Sequence, residues 1–255
     1  MKKLLIFVII LIHLAIPLVL MSVSNIWVFL TSGVVAFYIA QWFGMAMANH
    51  KLFSHRTFVP YTWVAVLGAL VNVLFWKQTP QKFAIVHRVH HKYVDADLDP
   101  HSPREHWYHA YGVMFFADTI LKKIPVTDQH KMVEDLFKDF PWIRLFTAKV
   151  QLFFIITCYT LLYLISYDLV AAVFIASVIS MHVTCSINVF GHVKRNGIMI
   201  LVDRPILATV ISPAFNHARH HNDPSNYDES TKGSFDITAW LVRKFLAKSI
   251  MPLNT

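Results

Sequence analysis

The chemistry this sequence can do is concentrated in eight histidines: His50 and His55, then His87, His90 and His91, then His217, His220 and His221. They are drawn from fifteen in the chain, and each cluster sits just beyond a long apolar run. Neutral imidazole is the commonest nitrogen ligand of first-row metals, and a pocket made almost wholly of imidazole suits iron, zinc or copper better than magnesium or calcium. His87, His90 and His91 stand at i, i+3 and i+4, which on a helix puts three rings on one face a turn apart, and His217, His220 and His221 repeat that spacing. His50 and His55 are five residues apart, about 140° around an α-helix, so they are expected to serve different metals or to bracket a frayed helix end. Asn188 and His192, a helical turn apart at the end of another apolar run, add a ninth imidazole and an amide. One metal takes about four to six ligands, so nine imidazoles imply two metals with room left for oxygen or substrate, and two irons fit best.

The elements that must position these rings belong to a membrane protein. With 56% apolar and only 15% charged residues, the chain is too oily for a soluble domain, where charged residues make up about 25%. Four windows, 4–21, 26–48, 142–165 and 169–190, approach or exceed the roughly 20 apolar residues that cross a hydrocarbon core. Lys2 and Lys3 also suit a signal peptide, but the apolar stretch after them is longer than the usual 7 to 15 residues or so, and no A-x-A pattern follows. The expected fold is therefore an all-α membrane protein with four transmembrane helices in two hairpins. The stretch 61–76 is short for a span and reads as an interfacial or half-membrane helix, with Trp63 and Trp76 at headgroup depth. Cys158 and Cys185 fall inside predicted spans and read as small apolar core residues. No internal repeat, low-complexity tract or Gly/Ser linker divides the chain, so 1–255 is expected to be one domain.

Charge orients the spans, because Lys and Arg are retained on the cytoplasmic side. The outer turns, 22–25 and 166–168, contain neither, so all 23 basic residues and every histidine cluster fall on one face. The regions 49–141 and 191–255 are then a cytoplasmic helical cap carrying the histidines. Ligands split across a bilayer could not meet at one centre, so topology and metal site support each other. The net charge of +8 suits an acidic redox partner or the phosphates of a carrier, and equally anionic lipid headgroups.

In order, HKLFSH, HRVHH and HARHH give H-x4-H, H-x2-H-H and H-x2-H-H. With the span layout, this resembles the integral-membrane fatty acid desaturases. The segments HKLFSHRTF (50–58) and HRVHHKYVDADLDPHSP (87–103) are most similar to the acyl-CoA delta-9 branch. The resemblance carries the family's nine-histidine set onto His50, His55, His87, His90, His91, His192, His217, His220 and His221. It also makes Asn188 the amide that holds a metal-bound water. The third box departs from that branch, with Ala214, Phe215 and Asn216 leading in and Ala218 and Arg219 in the gap, so the ligand set carries over further than the acyl carrier does.

The resemblance implies oxygen-dependent insertion of a double bond into a fatty acyl chain, with two irons as cofactor and molecular oxygen as co-substrate. An unactivated C–H bond offers no acidic proton, so a protein base alone could not do this. The substrate is expected as acyl-CoA, acyl carrier protein or lipid, lying in a tunnel for which Val34, Val35, Phe37 and Tyr38 are candidates. No flavin or nucleotide fingerprint and no fused haem domain occur, so electrons are expected from an external donor such as cytochrome b5 or ferredoxin with its reductase. No nucleic-acid partner is expected. The short chain suggests a bacterial inner membrane rather than endoplasmic reticulum. A hydroxylase or acetylenase on the same scaffold is the alternative; a zinc hydrolase fits less well, since no H-E-x-x-H accompanies the boxes. Asp95, Asp97 and Asp99 read as carboxylates that could hold ligand N–H groups or as a solvated loop. His13 and His182 read as interhelical hydrogen bonds, and His101, His106, His109 and His130 as solvated loop residues.

Overall fold

The computed structural model describes residues 2–251, without the side chains of residues 2–4, 114 and 115. The charges of Lys2 and Lys3, expected on the cytoplasmic side, thus lie outside the described residues. Helix α1 (Lys2–Met21) leads by a short turn to α2 (Ile26–Tyr38), which Asn25 caps by accepting from Trp27 N and Val28 N. The chain then continues without a break as a π-helical segment, Ile39–Ser54. Strand β1 (Phe58–Pro60), α3 (Thr62–Leu74) and α4 (Pro80–Lys92) follow. Four short helices come next: α5 (Trp107–Tyr111), α6 (Val113–Leu121), α7 (Val126–Lys131) and α8 (Glu134–Asp139). Helices α9 (Ala148–Ile165) and α10 (Tyr167–Gly191) form a hairpin through Ser166. The rest comprises the hairpin β2 (His192–Arg195) and β3 (Ile198–Leu201), then α11 (Pro205–Val210), α12 (His217–Asn222), α13 (Ile237–Leu241) and β4 (Ala247–Ile250).

Among the described residues, three helices are long and apolar enough to cross a membrane: Ile26–Ser54, Ala148–Ile165 and Tyr167–Gly191. They support an integral membrane protein. The first expected window, 4–21, lies within α1, whose described apolar part, Leu5–Met21, falls below that length. The second runs on to Ser54 instead of stopping at 48. The third starts six residues late, because Pro141 opens a separate 3-10 turn and Thr147 then caps α9 through Val150 N. The all-α expectation also misses two small antiparallel sheets, β1 with β4 and β2 with β3. The second closes over Asn196 and Gly197, both at positive φ, as a tight twisted hairpin requires.

Asp168 ties the two predicted outer turns together. Its carboxylate accepts from Ser24 N at 2.8 Å, Ser24 Oγ at 2.9 Å and Asn25 N at 3.1 Å. Both turns therefore sit at one end of the bundle, and the histidine boxes gather at the other. Within the bundle, His13 Nε2 meets His182 Nε2 at 2.9 Å, the interhelical contact expected of this pair, while His13 Nδ1 meets the Ile9 carbonyl oxygen within α1 at 2.7 Å.

At 13 residues, α3 is about 20 Å long and cannot span a core of about 30 Å. It packs on the π segment so closely that a Cβ at Gly68 would lie 2.6 Å from the Ala48 Cβ. Its far end enters the bundle: Trp76 stacks on Tyr159 of α9 with centroids 5.9 Å apart and meets Phe174 of α10 edge-on. Lys77 Nζ donates to the Ser180 carbonyl and Thr184 Oγ1. Trp76 is thus wedged between α9 and α10, whereas Trp63 is exposed. Val34, Val35 and Tyr38 line an open apolar groove with Trp42, Phe43 and Leu241, while Phe37 packs inward against Ala36, Ala40, Val71 and Phe75. The four tunnel candidates therefore divide between groove and core.

Candidate metal centre

The π segment settles the first box. Its i→i+5 hydrogen bonding, including His55 N to the His50 carbonyl at 3.1 Å, stacks residues five apart, where an α-helix would splay them. His50 and His55 accordingly come together, ring centroids 5.1 Å apart, and belong to one group of donors. Of the two expectations for this pair, the grouping speaks against separate metals, which assumed an α-helical period, while His55 does stand at the C-terminal end of the π segment.

Helix α4 carries the second box and is locked to the end of the π segment by Arg88. The Arg88 guanidinium donates to the Ser54 carbonyl at 2.7 Å, to the Phe53 carbonyl at 3.0 Å, and by two nitrogens to Asp135 at 2.6 and 2.9 Å. Those carbonyls are the ones a helix end leaves without partners, so the fork both satisfies them and sets the distance between boxes. His55 Nε2 and His87 Nε2 meet at 2.7 Å as a result. Helix α12 brings the third box in, with His220 Nε2 at 3.1 Å from His50 Nε2.

The imidazoles form two groups. His50, His55, His87 and His220 make a first set, and His90, His192, His217 and His221 a second; within each, the donor atoms all lie within 4.8 Å of one another. In the second set the Nε2 contacts are His192 to His217 at 2.8 Å, His217 to His221 at 3.1 Å and His221 to His90 at 3.1 Å. Each H-x2-H-H triplet is divided: the turn between i and i+3 sends one ring to one set and one to the other. His91 stands between them, its Nε2 2.9 Å from His220 Nε2 and its ring stacked on His221. Gly191, last residue of α10, permits the approach of the third box, since a Cβ there would lie 2.5 Å from the His217 ring.

Buried carboxylates fix the far nitrogens. Asp99 receives His90 Nδ1 at 2.9 and 3.0 Å, and Asp95 receives His192 Nδ1 at 2.9 Å, while Asp97 is exposed and pairs with Arg104. Glu229 Oε1 stands 3.2 Å from His50 Nδ1 and 3.5 Å from His220 Nδ1, close enough for attraction though not aligned as hydrogen bonds. Glu229 is anchored by Lys51 Nζ at 3.1 Å, which also donates to Asp236 at 2.8 Å. Burial would raise the Glu229 carboxyl, but Lys51 and His50 outweigh it and hold the group at about 2. Burial lifts Asp99 above its ordinary value, against the opposing pull of His101 and backbone amides. Burial, reinforced by neighbouring rings, holds His55, His87, His90, His217 and His220 far below the usual imidazole value. It brings His91 down to about 3.

This donor set fits metal ions. Neutral imidazole is the ligating form. Nitrogens at about 2.0–2.1 Å from one metal stand about 2.9–3.4 Å apart at octahedral or tetrahedral angles, close to the 2.7–3.1 Å between Nε2 atoms here. Rings whose Nδ1 faces a carboxylate turn a lone pair inward at Nε2, and lone pairs meeting at such distances repel unless a cation lies among them.

No protein-family profile matches the chain. It is 28% identical over 159 residues to delta-9 acyl-lipid desaturase 2 of Arabidopsis thaliana, covering 62% of this chain and 50% of that protein. With delta-9 acyl-lipid desaturase 1 of the same plant it shares 30% over 153 residues, covering 59% and 48%. With stearoyl-CoA desaturase 5 of Bos taurus it shares 27% over 220 residues, covering 78% and 63%. These similarities support the fatty acid desaturase family for this chain. The chain spans about half the length of the plant relatives and under two thirds of the bovine one.

Two residues of this centre are not apparent from the sequence. Glu229 lies in a polar loop with no periodicity to mark it, and only the fold brings it beneath two histidines. His101 was read as solvated, yet it is buried, with Nδ1 2.5 Å from Asn188 Nδ2 and its ring 4.2 Å from that of His90. Its place in DPHSP, between two prolines and beside Asp99, was the available signal. His106 and His130 are exposed as expected.

Proposed function

We propose that this chain is an oxygen-dependent fatty acyl desaturase, with residues 1–255 forming one domain around a di-iron centre. The observation that carries the reading is the convergence of eight imidazoles into two four-histidine sets, with His91 between them. The nine histidines are the metal ligands, and Asn188 holds a metal-bound water. Iron, when bound there, would supply the oxygen activation that breaking an unactivated C–H bond requires. The chain's own residues do the rest. Asp95, Asp99 and Glu229 hold rings with their lone pairs inward, Arg88 and Gly191 set the distances between boxes, and burial excludes water.

The named relatives are desaturases of acyl lipid and stearoyl-CoA, which supports a long acyl substrate, carried here as a thioester or a lipid. The groove of Val34, Val35, Tyr38, Trp42 and Leu241 is the apolar path on which the acyl chain lies. We place four crossings in the membrane, α1, α2 with its π segment, α9 and α10, with the Asp168 turn outside and the histidine boxes on the cytoplasmic face. Electrons come from an external carrier such as cytochrome b5 or ferredoxin with its reductase, docking on the basic cytoplasmic face. Mass spectrometry of fatty-acid methyl esters from cells with and without the protein tests the reading. A new double bond is expected; a hydroxylated product or an unchanged profile contradicts it.

A further inference from the structure

The two metal sets meet a side chain that belongs to neither. His101 lies with its ring 4.2 Å from His90 of the second set and 6.3 Å from His87 of the first. Its loop is fixed from both sides. His101 N donates to Asp99 Oδ1 at 3.0 Å, Asp99 holds His90, and the neighbouring Ser102 donates to Asp95, which holds His192.

The ring's two nitrogens differ in a way that assigns its proton. Nδ1 is 2.5 Å from Asn188 Nδ2, and with the amide assigned this way round its nitrogen donates and Nδ1 accepts. In a neutral imidazole the proton then resides on Nε2. That Nε2 is buried and has no hydrogen-bond partner among the described residues. An unsatisfied buried donor costs about 1–3 kcal/mol, so it calls for a partner that the described residues do not supply. The ring's donors also group with His90 and Asp99 within 4.8 Å, close enough to hold a cation, but Asp99 there is already engaged by His90 Nδ1 and His90 Nε2 turns toward the second set.

We propose that His101, oriented by Asn188, donates a hydrogen bond from Nε2 to a small exogenous ligand, an oxygen species or an anion, bound between the two metal sets. The proposal rests on the di-metal reading above. It makes His101 a tenth functional imidazole, distinct from the nine that ligate.

Azide titration of the purified, iron-loaded full chain tests it, read by the azide-to-iron absorption band alongside metal analysis. The wild type is expected to bind two irons and azide. His101→Phe keeps both irons and weakens azide about tenfold or more, the scale of one charge-assisted hydrogen bond. His101→Gln, which retains an N–H donor, recovers part of that loss. Equal azide affinity in the wild type and His101→Phe overturns the proposal. Loss of an iron in both variants also overturns it, by making His101 a ligand. A wild type that holds fewer than two irons instead fails the di-metal reading beneath it.

Discussion

In the first imidazole set one carboxylate faces two rings, whereas in the second each carboxylate faces one. Glu229 faces both His50 and His220 and is held in turn by Lys51. Asp99 and Asp95 take His90 and His192 separately, and His217 Nδ1 has no hydrogen-bond partner among the described residues. The first set is assembled across long sequence distances by charge, through the Lys51–Glu229 pair and the Arg88 fork. The second is assembled by close approach, with Gly191 making room for the His217 ring. The same ligand type can therefore be placed by two different physical means, and each set should fail in its own way.

The largest effects come from the ligands themselves. His220→Ala should empty the first set and His90→Ala the second, each abolishing desaturation while leaving membrane insertion intact. Metal analysis should fall from two ions per chain to one in each variant, and two ions in both would erase the distinction between sets. Next comes Gly191→Ala, whose new Cβ would meet the His217 ring at 2.5 Å. It should displace metal from the second set and spare the first, and spectroscopy of cobalt-loaded protein would show which site is lost.

A smaller effect is expected from Glu229→Gln, which preserves shape and removes charge. Chelator competition should show metal affinity at the first set lowered about 10- to 100-fold, the usual range for partners of ligating histidines. Asp95→Asn should weaken the second set less, because it touches only His192. Equal losses in the two variants would contradict the shared role of Glu229.

The smallest effect is a pH difference in metal-free protein. The Glu229 carboxyl is held at about 2, below its ordinary value, so its stabilising charge is fully present above the ordinary range and is lost only as pH falls through about 2. Asp99 is shifted upward, so it takes up its proton first on acidification. Because the folded state holds the Asp99 proton more tightly than the unfolded chain does, acidification should raise hydrogen exchange around residues 225–236 as Glu229 protonates, and not around residues 95–103; a rise at 95–103 first would contradict the assignment.

Much of this was legible in the sequence, because clustered histidines just beyond apolar runs have no packing purpose. The nine histidines, the hairpin of α9 and α10, and the shortness of α3 all follow from spacing and hydropathy. What escaped depended on backbone period or on long-range contact. The pairing of His50 with His55 needed a π-helix, which residue spacing read at 100° per residue cannot reveal. Glu229 meets His50 across 179 residues, and Arg88 reads as one more surface cation until the carbonyls it satisfies are in place. Asp95, Asp97 and Asp99 alternate alike in sequence, and only the fold separates the two that hold histidines from the one that faces solvent.

The central claim is that the two imidazole sets hold two irons. Mössbauer spectroscopy with metal quantitation, on protein purified from cells grown in iron-57, tests it most directly. Two irons per chain, giving signals from two nitrogen-rich sites that vanish separately in His220→Ala and His90→Ala, are predicted. A single iron per chain, or two zinc ions in an active preparation that lacks iron, would contradict the account.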